Sequence, residues 1–335
     1  MTTPPSLGHP FVLDRADLAE ADAETVLGGA GYARADGTVL EIAGPGAVAC
    51  LQGLLTNDLE RPGDDSVVYG ALLTPKGMIL SDLWALRRGG TVVLVIPDDG
   101  RAAVDEILVR TLPPRLARAT EQPARVVWRL LGPRALELAE RAGLTAPEPG
   151  RITTNPVAGA AVTVARPRVA GPHALELHLD AEQAPALAER LERTGFREVG
   201  AAGLELARIL AGWPRLGAEI DQKTLPQEAR FDEIDGVSYT KGCYTGQETV
   251  ARVHFRGHAN RGIVGLLWSA RPDFASPGVM QDQRDIGWVT SAAWLPSLQQ
   301  FVGLAKVRRE TEPARAVTAG GAPARVAALP FDLVG

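Results

Sequence analysis

The sequence predicts an α+β protein in which two similar α/β subdomains are followed by a small C-terminal β-barrel. Three observations predict this class. A strand, a Gly-Pro turn and a helix are indicated near residues 40–55, and the same order is indicated again near 125–142. From about Gly262 the helical periodicity fades, and short apolar runs alternate with Gly, Pro and Asp turns, as in small barrels. A chain of 335 residues is also longer than one hydrophobic core usually serves.

The first subdomain is predicted to contain a strand, a helix, a three-stranded meander and a second helix. The β-branched residues favour strands, and the turn residues at 74–77 and 87–90 separate them. Asp98 or Asp99 can cap the second helix. In chain order these elements are 38–42, 47–55, 70–73, 78–86, 91–96 and about 98–112.

The second subdomain repeats this pattern, and the barrel follows it. Asp180 and Gln183 have the spacing of a capping box before a helix that ends near Thr194. The predicted elements are strand 125–131, a helix from about 135, strands 157–165 and 174–179, the capped helix and helix 204–210, then barrel strands 262–268, 286–290, 301–307, 315–318 and 325–329. The predicted domains are residues 10–256, with an internal boundary near 115–125, and residues 257–335.

Composition and charge exclude several classes of protein. Apolar residues make up 45% and charged residues 22% of the chain, which is typical of globular proteins. No apolar stretch is long enough to span a membrane, and residues 1–10 do not read as a secretory signal, so a cytoplasmic protein is expected. The net charge of −5 makes direct binding of nucleic acid unexpected. The two cysteines are too few for a disulfide framework, a four-cysteine zinc site or a cysteine-held iron–sulfur cluster within one chain.

The most distinctive local motif runs from Lys241 to Glu248, Lys-Gly-Cys-Tyr-Thr-Gly-Gln-Glu. Thr245 and Glu248 have capping-box spacing, so a helix is predicted to begin there. Cys243 then lies just before the positive end of a helix, where unpaired amides favour a thiolate, and Lys241 adds a cation two residues away. The pattern indicates a reactive or metal-coordinating thiol, or else a small buried cysteine in a tight turn.

Three other segments carry groups of polar side chains. Residues 51–58 and 72–83 place polar groups at the ends of apolar elements, and an ordinary helix end and turn explain both. His254 and His258 are four residues apart, but Gly257 interrupts the helix and the flanking arginines oppose a cation, so no metal site is predicted. The segment from Arg252 to Arg261 reads instead as an anion-attracting patch or as a solvated interdomain linker.

These motifs resemble those of the YgfZ family, folate-binding relatives of the glycine-cleavage T-protein that support iron–sulfur enzymes. The resemblance rests on residues 241–252 above all, and on 51–59, 72–83, 214–228 and 287–305. It implies the T-protein type of fold with tetrahydrofolate, or a derivative, held in a central hollow. It implies a role in the assembly or repair of iron–sulfur clusters, including those of tRNA-modifying enzymes, with iron–sulfur proteins or assembly factors as partners.

The resemblance also implies site residues. Cys243 and Lys241 are expected to carry the activity, and Cys243 is a candidate transient ligand of an iron–sulfur cluster. The rest of that motif comprises Gly242, Tyr244, Gly246, Gln247, Glu248 and Arg252. The residues expected to bind folate are Asn57, Lys76, Asp82, Glu228 and Arg261.

Two positions differ from the T-protein pattern. Ser81 and Asp82 stand where the T-protein has an acidic pair that takes part in transferring the one-carbon unit. Leu210 stands where the superfamily has the glutamate that anchors the pterin. A leucine cannot accept the pterin N–H groups, so modest affinity, or an anchor such as Glu228, is expected.

Two alternative functions remain open at this stage. An aminomethyltransferase of glycine cleavage would account for the fold but leaves the Cys243 motif unexplained. A non-catalytic binding module that has lost folate, and that contacts RNA through the Arg252–Arg261 patch, is the second alternative. Whether the chain catalyses a reaction is left open.

Overall fold

The computed structural model of the chain describes residues 9–332. The prediction that residues 1–10 are not a secretory signal therefore falls mostly outside the described residues. The helices and strands follow one another in the order β1 (Phe11–Leu13), α1 (Glu20–Gly28), β2 (Gly31–Arg34), β3 (Thr38–Ala43), α2 (Ala47–Gln52), β4 (Ser66–Leu73), β5 (Ile79–Arg88), β6 (Thr91–Ile96), α3 (Arg101–Thr111), β7 (Arg118–Glu121), β8 (Arg125–Leu131), α4 (Ala135–Ala142), β9 (Arg151–Val157), β10 (Ala160–Arg166), β11 (Leu175–Asp180), α5 (Ala184–Arg193), β12 (Arg197–Glu198), α6 (Ala201–Ala211), α7 (Gln247–Arg256), β13 (Arg261–Trp268), β14 (Gly278–Gln281), β15 (Arg284–Leu295), β16 (Gln300–Arg308), β17 (Val317–Ala319) and β18 (Ala322–Ala327). The predicted domain bounds stay predictions.

One large sheet contains both predicted subdomains. Its strand order is β12-β2-β8-β11-β10-β9-β4-β5-β6-β3-β7, and the two halves meet where Ser66 of β4 pairs with Arg151 of β9. One face of the β8–β11 half packs on α4 and α5, and the matching face of the β3–β6 half packs on α2 and α3. The opposite faces of both halves share one core, with Trp84 and Val95 from the first half and Val127 and Ile152 from the second. The two-subdomain prediction is therefore confirmed.

The C-terminal strands form a closed six-stranded barrel. Strands β15, β14, β17, β18, β13 and β16 pair in that order, and β16 pairs back with β15. Strand β1, from the beginning of the described chain, adds to β15 in parallel. Trp268 and Phe301 fill the barrel interior. At Gly303 a Cβ atom would lie 2.3 Å from the carbonyl oxygen of Ser291, so this close strand approach requires glycine. The prediction of a small barrel is confirmed.

The structure differs from the sequence-based expectations at several local points. The run 157–165 is the end of β9, a turn and most of β10, because Ala158 and Gly159 adopt positive φ values of 51° and 79°. The Asp180–Gln183 capping box does not form, since a 3₁₀ turn precedes α5 and the Asp180 side chain makes no cap hydrogen bond. Strand β14, like β1, β2, β7 and β12, has no predicted counterpart, because a run of two to four residues is too short to show a period.

Candidate functional site

A hollow of about 580 Å³ lies between the inner face of the large sheet, helix α6 and the segment that follows α6. We call it the Asp82 hollow. Its volume falls in the range of small-molecule sites. Its wall includes the acidic and basic side chains Asp82, Arg129, Glu205 and Arg208 and the indoles of Trp84 and Trp213.

Asp82 is the carboxyl group that strand β5 directs into this hollow. Tyr69 Oη donates a hydrogen bond to Asp82 Oδ2 at 2.9 Å. Burial raises the pKa of Asp82, and the Tyr69 hydrogen bond and the charges of Arg129 and Arg208 only partly oppose it. Asp82 therefore keeps a proton to a higher pH than a free aspartate does.

Ser81 occupies the opposite face of β5, because successive side chains of a strand alternate. It is fully buried, and its Oγ donates to the carbonyl oxygen of Asp82 at 2.8 Å. A Cβ at Gly100 would lie 2.0 Å from that Oγ, so Ser81 packs closely beneath α3. A serine at this position therefore removes no carboxylate from the hollow.

Aromatic rings give the Asp82 hollow flat apolar surfaces. The Trp84 and Trp213 indoles are 5.9 Å apart between ring centroids and nearly parallel, at 14°. Tyr69 lies 5.0 Å from Trp84 and 4.8 Å from Trp213. The combination of aromatic walls and the Asp82 carboxyl group suits a flat heterocycle that carries N–H donors.

A buried ion network connects helix α6 to the barrel beside the hollow. The Arg208 guanidinium donates to Glu205 Oε1 at 2.6 and 2.9 Å and to Glu219 Oε2 at 2.9 Å. It also donates to Ser291 Oγ of strand β15 at 2.6 Å. Burial opposes the charge on Arg208, but the two carboxylates raise its pKa above the ordinary value. The network keeps this side of the hollow charged and rigid.

The other residues expected to bind folate lie outside the lining of the Asp82 hollow. Asn57 is buried, and its Nδ2 donates to the carbonyl oxygens of Tyr69 and Asp235 at 2.8 and 2.6 Å. Lys76 is exposed in the turn between β4 and β5. Asn57 therefore acts as a structural link, and a folate contact by either side chain stays a prediction.

Glu228 and Arg261 lie near the start of the barrel. Glu228 Oε2 accepts a hydrogen bond from the Leu225 amide at 3.2 Å. The Arg261 guanidinium lies 4.7 Å from the centroid of the Trp288 ring. Both positions are half-buried, and their part in folate binding likewise stays a prediction.

Lys241 does not lie free beside the thiol, as the sequence led us to expect. Its ammonium group is buried and donates to the carbonyl oxygens of Gln52, Leu55 and Asn57 at 2.7, 2.7 and 2.8 Å. Burial lowers the pKa of Lys241 to about 8, although nearby acidic side chains favour its charge. The ammonium closes the carboxyl end of α2, where unpaired carbonyl groups attract a cation. This contact joins the motif at 51–58 to the cysteine motif.

Cys243 is exposed, but the predicted capping box around it does not form. Helix α7 begins at Gln247, and Gly246 precedes it with a φ of 82° and no side-chain cap. A Cβ on Gly246 would lie 2.6 Å from the carbonyl oxygen of Thr74. The cysteine loop therefore rests on the turn of the 72–83 motif. The remaining motif residues are exposed at Gly242, Glu248 and Arg252, half-buried at Gln247 and buried at Tyr244.

His254 packs on an aromatic partner. Its ring stacks on Tyr239 at 3.6 Å between centroids, and its Nδ1 lies 3.5 Å from Asp232. Within residues 9–332, no three His, Cys, Asp or Glu side chains are grouped closely enough to hold a metal ion.

Leu210 lines a different cavity, of about 410 Å³, whose wall is formed largely by the 166–174 segment. It is half-buried and is absent from the wall that carries Asp82.

Of the residues on the wall of the Asp82 hollow, the sequence identified Asp82 but not Trp84, Arg129, Glu205, Arg208 or Trp213. Trp84 could have been found, since it is two residues after Asp82 on the same face of a predicted strand; the other four come from distant elements.

Comparison with known proteins identifies the family. The family model for the GCVT N-terminal domain matches residues 23–234. The chain belongs to the GCVT family. A protein of Moorella thermoacetica named aminomethyltransferase is 31% identical over 87% of this chain and 83% of its own length. One from Rubrobacter xylanophilus with the same name is 29% identical over 86% of this chain and 79% of its own length.

The fold has a solved counterpart. The glycine cleavage system aminomethyltransferase T of Bartonella henselae superposes with a TM-score of 0.79 at 24% identity, over 93% of this chain and 89% of that one. The fold predicted for this GCVT-family chain is therefore confirmed. Within residues 9–332, no helix is both long and apolar enough to cross a membrane.

Proposed function

We propose that this GCVT-family chain binds tetrahydrofolate, or a one-carbon derivative of it, in the Asp82 hollow. The observation that carries the proposal is a half-buried carboxyl group beside two nearly parallel indoles in a cavity of about 580 Å³. A reduced pterin is flat and presents N–H donors at its edge, so its faces suit the indoles and its edge suits Asp82. Titration of the purified chain with tetrahydrofolate under anaerobic conditions tests this; no saturable binding would refute it.

For the role of the folate, we propose an accessory function of the YgfZ type, in the assembly or repair of iron–sulfur clusters. Its support is the Cys243 loop. The thiol is exposed, while its neighbours are anchored, Lys241 on three carbonyl groups and Gly246 on the Thr74 turn. An exposed thiol on an anchored loop can be offered to another protein or to a cluster in transfer, and aminomethyl transfer in the hollow does not require it.

Aminomethyl transfer is the second candidate, and the names of the curated relatives favour it over the iron–sulfur role. The position of Asp82 on the wall of the hollow is also consistent with aminomethyl transfer. Ser81 lies on the opposite face of the strand, so a serine there does not remove a carboxylate from the hollow. In this case the chain would use Asp82 to hold or move a proton at the folate.

One pair of variants separates the two roles. In cells that lack the native chain, Cys243→Ser should fail to restore iron–sulfur enzyme activity, whereas Cys50→Ser, at a half-buried position in α2, should restore it. The purified chain should show no formation of methylene-tetrahydrofolate from an aminomethylated carrier protein. Turnover that is lost in Asp82→Asn and retained in Cys243→Ser would instead establish aminomethyl transfer.

A further inference from the structure

The cavity of about 410 Å³ that Leu210 lines lies next to the Asp82 hollow. We call it the Arg166 cavity. Its wall is formed largely by the segment 166–174, which connects β10 to β11, and by helix α6. Among residues 9–332, Pro172 is the one lining residue that the two cavities share. The Arg166 cavity therefore has its own set of polar groups.

The charged groups on this wall are all positive. Arg166 and Arg168 line the cavity, and within the described part of the chain no acidic side chain does. Arg166 is half-buried, and its Nη1 donates to the carbonyl oxygen of Pro147 at 3.3 Å. Arg168 Nε lies 3.3 Å from the carboxylate of Asp235, which is outside the wall. Because a guanidinium group has five N–H donors, both arginines keep donors for a ligand.

The imidazole of His173, also a wall residue, is buried without a hydrogen-bond partner. His173 is 3% exposed, and neither ring nitrogen forms a hydrogen bond with a described residue. Its Nε2 lies 3.9 Å from Glu176 Oε2, which is beyond hydrogen-bond distance. Burial, aided by the positive charge of Arg129, lowers the pKa of His173 to about 3. The neutral ring has one N–H donor, and a buried donor without an acceptor costs free energy.

We propose that the Arg166 cavity binds a small aliphatic carboxylate. A carboxylate is negative and has only acceptor oxygens, which match the guanidinium group of Arg166 and the N–H group of His173. The alkyl chain lies against apolar side chains such as Val169 and Leu210, and an apolar wall with a few polar groups is usual for a small-molecule site. This site lies outside the Asp82 hollow and does not depend on folate binding.

The test uses butyrate as the probe, with butylammonium as a probe of similar size and opposite charge. Each is titrated into the full chain and followed by calorimetry and by the ring-nitrogen resonances of His173 in histidine-labelled protein. We expect saturable binding of butyrate, a shift of those resonances, and no binding of butylammonium. Arg166→Met should weaken butyrate binding by at least about tenfold, since it removes a charge-assisted hydrogen bond. Arg110→Met, at an exposed position in α3, is the control and should bind as the wild type does.

Leu210 offers a matched pair of variants that keeps both arginines. Leu210→Glu places a negative charge on the wall, whereas Leu210→Gln places a side chain of nearly the same shape there without the charge. Because like charges repel strongly where water is partly excluded, butyrate should bind Leu210→Glu at least about tenfold more weakly than Leu210→Gln. This comparison decides the matter should Arg166→Met fail to fold.

Four results would overturn the proposal. One is butylammonium binding as well as butyrate. Another is an unchanged butyrate affinity in folded Arg166→Met, or equal affinities in the two Leu210 variants. The third is saturable butyrate binding that leaves the His173 resonances unmoved. The last is displacement of butyrate by tetrahydrofolate, which would place both ligands in one hollow.

Discussion

Replacement of Asp82 by asparagine is expected to weaken tetrahydrofolate binding ten- to a hundredfold. The side-chain volume is nearly unchanged, and the asparagine carbonyl oxygen can still accept the Tyr69 hydrogen bond now made at 2.9 Å, so the hollow should keep its shape. What is lost is a carboxylate facing ligand N–H donors. A hydrogen bond to a charged group contributes about 1.5–3 kcal/mol, which corresponds to roughly ten- to a hundredfold in Kd.

The pH dependence of binding gives an independent check on the same residue. Burial raises the pKa of Asp82, so its carboxylate is neutralised at a higher pH than that of a free aspartate, about 3.9. If the carboxylate binds the ligand, affinity should fall as pH decreases through this raised value. The Asp82→Asn variant should lack that part of the pH profile.

Anaerobic calorimetry on three proteins measures the effect. The wild type is compared with Asp82→Asn and with Asp99→Asn, an exposed aspartate that also lines the hollow. We expect Asp99→Asn to bind within about twofold of the wild type, because a solvated carboxylate adds little. An Asp82→Asn affinity equal to that of the wild type, or equal losses in both variants, would refute the assignment of Asp82.

Four further predictions follow from the structure. Arg208→Met should lower the free energy of unfolding by about 3–5 kcal/mol, because two carboxylates stay buried without their partner; urea denaturation measures it, and a near-neutral result would contradict the network's role. Gly246→Ala should lower stability by about 1–3 kcal/mol because φ is positive there, and an unchanged melting temperature would argue against the loop anchor. Cys243, which is exposed, should alkylate faster than half-buried Cys50 by mass spectrometry, and equal rates would show that α2 opens freely. Leu210→Glu should leave folate affinity in the Asp82 hollow unchanged, since Leu210 lines another cavity; tighter binding would show that the ligand reaches that cavity.

Local patterns in the sequence were sufficient to locate most elements. Strands β6 and β8 coincide with the predicted runs 91–96 and 125–131, because β-branched residues between turn residues specify a strand over a few neighbours. The predicted strand at 157–165 was wrong because a two-residue turn with positive φ at Ala158 and Gly159 interrupts a run that is apolar on both sides. The two predicted capping boxes did not form because a 3₁₀ turn precedes α5 and because glycine, which has no side chain, precedes α7.

The candidate site was predicted only in part. Asp82 was expected only from the family resemblance of residues 72–83, and the structure places it on the wall of a hollow. Its companion Trp213 comes from a segment 131 residues later in the chain, and no local pattern links the two. The same holds for Arg208, whose partner Ser291 lies 83 residues away.

The sequence by itself determined the class of fold and the positions of most helices and strands, because periodicity and turn chemistry act between near neighbours. Only the tertiary structure decided which polar groups share a site. In the sequence Lys241 is a cation two residues from Cys243. In the structure its ammonium group binds carbonyl groups at the carboxyl end of α2, up to 189 residues away in the chain. The physical reason is that a buried charge requires hydrogen-bond partners. In the folded chain the partners of the Lys241 ammonium group are three backbone carbonyl groups, whereas the sequence had suggested the Cys243 thiol.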